Sequence, residues 1–148
     1  MIKNERQYRI TKAWVDKFAR AIEQLTHAPT AADPSDPVMR RIQLDALRSQ
    51  MNDLKAELEE YDALRSGRRT VMQLESFEEL PAALIKARIA AGLTQRQLAE
   101  RLGLKEQQIQ RYEATDYASA NIGRIGEVIE ALGAQVREEI VLPSRSEP

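Results

Sequence analysis

The chain has 148 residues and a formal net charge of −1, with 22 lysine and arginine residues against 23 acidic ones. It therefore carries no overall positive charge for nonspecific binding to nucleic acid. It has no cysteine and one histidine, His27, which excludes disulfides, thiolate metal sites and multi-histidine clusters.

The sequence also indicates where the protein works and what it does not do. No apolar run approaches the length of a membrane span, and the N-terminal MIKNERQYR lacks the apolar core of a secretory signal. Asp53, Glu57, Glu59 and Glu60 lie around Lys55 on a predicted helix, as on a solvated face. We therefore expect a cytoplasmic protein that is not an enzyme, without membrane contact, cofactor or metal site.

The N-terminal part, residues 1–67, reads as a helical hairpin. Asn4 forms a capping pair with Gln7 at the start of the first helix. Apolar positions then recur every three or four residues at Tyr8, Thr11, Val15, Phe18, Ile22 and Leu25. The segment from His27 to Asp36 contains two prolines and predicts a loop. The second helix begins with Asp36 as cap and ends at Gly67, and it carries a heptad pattern of Leu44, Leu47, Met51, Leu54, Leu58 and Tyr61.

We expect the hairpin to serve dimerisation or partner binding. The side chains expected at these helix contacts are Phe18, Ile22, Leu44, Leu47, Met51, Leu54, Leu58 and Tyr61. The sequence leaves open whether the stripes pair within one chain or between chains, and an intramolecular hairpin docked on its copy buries the most apolar surface. The alternative is that both stripes are simply core.

Residues 68–78 predict a linker or a short strand. Arg68 and Arg69 form a basic hinge, and the residues from Thr70 to Leu74 favour an extended conformation. A second extended segment, residues 134–142, could pair with the first as a small two-stranded β element. The tail, residues 143–148, is expected to be disordered.

Residues 79–142 predict a compact domain of four to five helices. Pro81 can open its first helix, and Gly92 can close it. Thr94 and Gln97 form a capping box for the next helix, and Gly103 provides the turn into a third helix from Glu106 to about Ala114. The last helix is expected from about Ala120 to Leu132, with Ser119 as cap and Ile122, Ile125, Ile129 and Leu132 facing inward.

The third of these helices has a polar face with the chemistry of base recognition. Ile109 and Tyr112 lie on its buried side, which leaves Glu106, Gln107, Gln110 and Arg111 outside. Glutamine can bind adenine through two hydrogen bonds, and arginine can bind guanine in the same way. Glu106 either accepts from cytosine or favours the positive end of the helix dipole. The expected phosphate contacts are Gln95, Arg96, Lys105, Thr115 and Ser119.

A family resemblance rests on the spacing of Ala99, Gly103 and Ile109. The apolar residues Leu98, Leu102, Leu104 and Tyr112 fill the other buried positions. With this spacing the segment resembles the helix-turn-helix of the Xre and phage Cro/repressor family. The resemblance extends from about Pro81 to Gly133 and does not cover the first seventy residues. It implies a domain that binds double-stranded DNA.

The sequence therefore predicts a mainly α-helical, dimeric DNA-binding regulator, with repression by occupation of a palindromic operator. From Pro81 to Leu142 the basic and acidic residues are equal in number, so one copy should bind weakly and two copies are required. The family resemblance also implies, more loosely, an antitoxin that neutralises a toxin protein. An assembly scaffold that does not bind DNA is the alternative from another class. The sequence gives neither the operator nor an effector.

Overall fold

The structure, a computed structural model, describes residues 1–28 and 36–145. The helices found in these two ranges are α1 (Glu5–His27), α2 (Pro37–Arg65), α3 (Leu80–Ala90), α4 (Gln95–Leu102), α5 (Glu106–Ala114) and α6 (Ile122–Leu132), with a 3-10 turn at Phe77–Glu79 before α3. The prediction of a mainly α-helical fold is confirmed. None of the described helices is long and apolar enough to cross a membrane.

Helices α1 and α2 form the predicted hairpin. The Arg40 guanidinium, in the first turn of α2, donates to the carbonyls of Leu25 and Ala28 at the end of α1. The Tyr8 hydroxyl near the start of α1 donates to Asp62 near the end of α2, at 3.0 Å. The two helices are therefore antiparallel. The predicted loop between them falls largely on residues 29–35, which lie outside the described residues.

The hairpin encloses little of its own apolar surface. Helix α1 has no fully buried residue, and α2 buries only Tyr61 and Leu64. The other predicted contact residues are half-buried: Phe18, Ile22, Leu44, Leu47, Met51, Leu54 and Leu58. The two apolar stripes therefore face each other within one chain. Two helices alone cannot exclude water from both sides of their contact, so these side chains stay partly exposed.

Helices α3 to α6 close around one apolar core. Ile85, Leu98, Ala99, Ile109 and Val128 are its most deeply buried members. The core also takes in Tyr61 and Leu64 from α2 and Ile2 from the start of the chain. The hairpin is consequently packed directly on the C-terminal helices rather than joined to them by the linker alone.

The last helix differs from the prediction in its start and at its first apolar residue. It begins at Ile122, and Asn121 rather than Ser119 is its cap, because the Asn121 side chain accepts from the Arg124 amide at 2.8 Å. Val128 is fully buried, whereas Ile122 is 77% exposed. Ile125, Ile129 and Leu132 pack on the core beside Val128 as predicted, and only the prediction that Ile122 faces inward was wrong.

Neither extended segment forms a strand in the described residues. Residues 68–74 and 134–145 have no regular secondary structure. Val71, Ile140 and Val141 are strongly exposed, and within the described residues the backbone of 68–74 and 135–145 forms no hydrogen bond to another segment. The predicted two-stranded element is thus not formed within the described part of one chain.

Candidate nucleic-acid interface

The turn between α4 and α5 fixes the position of α5. Thr94 accepts from the Gln97 amide at 3.1 Å, and the Gln97 side chain accepts from the Thr94 amide at 2.9 Å. This confirms the capping box at the start of α4. Gly103 has a φ of 66°, the left-handed conformation that glycine adopts without steric cost. The turn therefore follows directly from its sequence.

Helix α5 has one buried side and one exposed side. Ile109 and Glu113, one turn apart, are both fully buried. The four predicted base-reading side chains are all exposed: Glu106, Gln107, Gln110 and Arg111. Gln110 Nε2 donates to Glu106 Oε1 at 3.3 Å, a weak exposed contact that DNA could replace. The structure thus presents these polar groups together on the side of α5 that faces away from the core.

The residues predicted to bind phosphate fall into two groups. Arg96, Lys105, Thr115 and Ser119 are exposed, as the prediction requires. Gln95 is only 8% exposed, and its Nε2 donates to Glu113 Oε2 at 2.7 Å. Its side-chain amide therefore points inward and stabilises the domain, so it is not available to a phosphate in this arrangement.

A buried ion pair, which the sequence analysis missed, lies behind α5. Arg88 of α3 is 3% exposed and Glu113 is 0% exposed. Arg88 Nε donates to Glu113 Oε1 at 2.5 Å, and Arg88 Nη2 donates to Oε2 at 2.9 Å. Arg88 Nη1 also donates to the Leu93 carbonyl at 2.7 Å. This bidentate pair ties α5 to α3 and to the loop before α4.

The beginning of the chain joins the same cluster. Arg88 Nη2 donates to the Lys3 carbonyl, and Lys3 Nζ donates to the carbonyl of Glu113 at the end of α5. Lys3 Nζ also lies 3.0 Å from a carboxylate oxygen of Asp116. Ile2 is buried in the core. The start of α1 is therefore fixed beside the C-terminal end of α5.

The loop after α5 has an unusual backbone. Asp116 and Tyr117 have φ values of 48° and 58°, a left-handed conformation that costs L residues about 1–2 kcal/mol. The Tyr117 amide donates to the Tyr112 carbonyl at 2.7 Å, and the two rings stack at 5.6 Å. Burial raises the pKa of the Tyr117 hydroxyl, which therefore stays protonated. These contacts, with Lys3 on Asp116, hold the loop that carries Thr115 and Ser119.

Comparison with known proteins gives one finding for this region. Residues 84–138 match a family model described as Helix-turn-helix. The matched range runs from α3 through α6 and includes all of α5. Comparison with curated proteins and with solved structures gave no match. The helical hairpin lies outside the matched residues.

Proposed function

We propose that this chain, whose residues 84–138 are a helix-turn-helix DNA-binding domain of the Xre and Cro/repressor type, is a sequence-specific transcriptional repressor. It would act in the cytoplasm as a dimer that occupies a palindromic operator. The observation that carries this proposal is the joint exposure of Gln107, Gln110 and Arg111 on the side of α5 opposite Ile109. A helix of this size fits the major groove of DNA.

The exposed side chains account for sequence preference in chemical terms. Gln107 and Gln110 each offer a donor and an acceptor, which match adenine N6 and N7. Arg111 makes no ion pair with the described residues, so its guanidinium is available for guanine O6 and N7. Exposed Arg96 and Lys105 can then hold the phosphate backbone and set the register of α5.

A mobility-shift titration tests the proposal, with the DNA upstream of the protein's own gene as probe and a series of salt concentrations. The Arg111→Ala variant should bind this DNA about 5- to 150-fold more weakly for each half-site, since one bidentate base contact contributes about 1–3 kcal/mol. Its binding to random duplex should change little. Arg41→Ala, an exposed arginine near the far end of the hairpin, is the matched control. No shift at low salt, or equal weakening on both DNAs, contradicts the proposal.

The hairpin supports the proposal of a dimer. Leu64 of α2 is buried against the C-terminal helices, and Ala46 lies 18 residues earlier, five turns of about 3.6 residues. Ala46 therefore lies on the same side of α2 as Leu64. Met39 and Ile42 lie on this side as well, and both are exposed. An exposed apolar patch of Met39, Ile42 and Ala46 thus remains in the first three turns of α2, ahead of the acidic residues Asp53 and Glu57 on the same side.

The same exposed apolar patch supports a second candidate function, that of an antitoxin that also binds a toxin protein. A small neighbouring gene whose product is toxic alone and co-purifies with this chain would favour that function.

The assembly scaffold without DNA binding is the third candidate. It is favoured only if the upstream DNA gives no shift at low salt.

A further inference from the structure

The helix-turn-helix domain has little positive charge of its own. From Pro81 to Leu142 the chain has eight basic and eight acidic residues. Several of the basic residues are paired: Arg88 with Glu113, Arg96 with Glu100, Arg124 with Glu127 and Lys86 with Glu60. Because affinity for DNA depends strongly on neutralised phosphates, basic residues outside this domain would raise the affinity of each copy.

The N-terminal segment from Lys3 through most of α1 has this charge. The residues from Lys3 to Arg20 include six basic and two acidic residues, a net charge of +4. The side chains of Arg6, Arg9 and Arg20 are exposed. Within residues 1–28 and 36–145 they form no ion pair. Arg6 and Arg9 lie three residues apart and away from the α2-facing stripe, so they are neighbours on the outer side of α1.

The contacts of Lys3 place this charge beside the DNA-binding domain. Lys3 Nζ donates to the carbonyl of Glu113 and to the carboxylate of Asp116. These two residues lie on either side of Thr115, at the start of the loop after α5. Arg6 follows Lys3 by three residues, and Arg9 follows by six. At about 1.5 Å of rise per residue, both arginines lie in the first two turns of α1, within about 10 Å of Lys3 along the helix axis. Arg20 lies farther along the same helix.

We propose that Arg6 and Arg9 contact DNA phosphates and extend the DNA interface from the helix-turn-helix onto the hairpin. This inference rests on the proposed function, because it names a further part of the same interface. The hairpin then contributes to affinity without reading bases, because phosphate contacts position a protein on DNA but carry no sequence information. Its rigid attachment through Lys3 and Ile2 keeps the two arginines at a fixed place relative to α5.

The salt dependence of binding tests this inference. Fluorescence anisotropy is measured from 50 to about 300 mM salt, with a random 30-base-pair duplex and the upstream DNA as probes. Each phosphate contact contributes about 0.9 to the slope of log K against log salt, so Arg6→Ala/Arg9→Ala should reduce the slope by about 1.8 for each bound subunit. Arg41→Ala/Arg48→Ala, which removes two arginines from the first half of α2, one of them paired with Asp45, should leave the slope unchanged.

A second variant separates charge from packing. Arg6→Lys/Arg9→Lys keeps both positive charges and should keep the wild-type slope. The side chains are exposed, so all three variants should keep the wild-type helical circular dichroism. Salt-sensitive wild-type binding with the same slope in Arg6→Ala/Arg9→Ala overturns the inference and leaves the proposed function intact. Absence of any salt-sensitive binding by the wild type overturns both.

Discussion

Replacing Glu113 with alanine is expected to lower the free energy of unfolding by about 3–5 kcal/mol, because it leaves a buried arginine without its counter-charge. Arg88 would retain only the carbonyls of Leu93 and Lys3 as hydrogen-bond partners. Gln95 would lose the acceptor of its side-chain amide. Urea unfolding followed by circular dichroism measures the loss, provided that the slope against denaturant stays that of the wild type.

Two controls separate the buried pair from ordinary surface charge. Glu100→Ala removes the same side chain from the exposed pair with Arg96 and should cost no more than about 1 kcal/mol. Arg88→Met/Glu113→Leu removes both buried charges and should cost less than Glu113→Ala alone, since an apolar pair has no unpaired charge to bury. A loss below about 1 kcal/mol for Glu113→Ala would show that Arg88 is solvated in solution.

The helix-turn-helix was predictable because its structure is dictated locally. Thr94 with Gln97 determines where α4 begins, and Gly103 determines where it ends. Such signals act within a few residues, so spacing along the chain reveals them. The exposure of Gln107, Gln110 and Arg111 follows in the same way from the apolar side of α5 that contains Ile109.

The parts that were not predicted depend on contacts between distant residues. Glu113 lies one turn after Ile109, and Arg88 lies one turn after Leu84 and Ile85. This spacing already places both charges on buried sides of their helices, a signal that could have identified the pair. The contact of Lys3 with Asp116 joins residues 113 positions apart. No periodicity of the sequence indicates such a contact.

The errors at α6 have a local cause. Ser119 and Asn121 are both good caps, and only the folded chain selects between them. The Tyr117 amide bonds the Tyr112 carbonyl, and this loop occupies the residues that a helix from Ala120 would need. The start of α6 therefore moves to Ile122.

The hairpin gives the prediction with the largest expected effect on DNA binding. Ile42 is 57% exposed on the side of α2 that the C-terminal helices leave uncovered. If two copies pair through this side, Ile42→Glu places two charges in an apolar contact that cannot solvate them. We expect a monomer in sedimentation equilibrium. Without a second reading helix on the operator, affinity for a palindromic site should fall by about 10²- to 10⁴-fold.

Ile140→Glu is the matched control, because Ile140 is an exposed isoleucine in the extended C-terminal segment. It should keep both the dimer and the wild-type affinity. The affinity of Ile42→Glu for a DNA with a single half-site should equal that of one wild-type subunit, since α5 is unchanged. A wild type that is monomeric at micromolar concentration contradicts the dimer. An Ile42→Glu variant that keeps the dimer mass places the contact between copies elsewhere. If the variant is monomeric yet binds the palindrome as the wild type does, dimerisation through α2 does not produce the affinity.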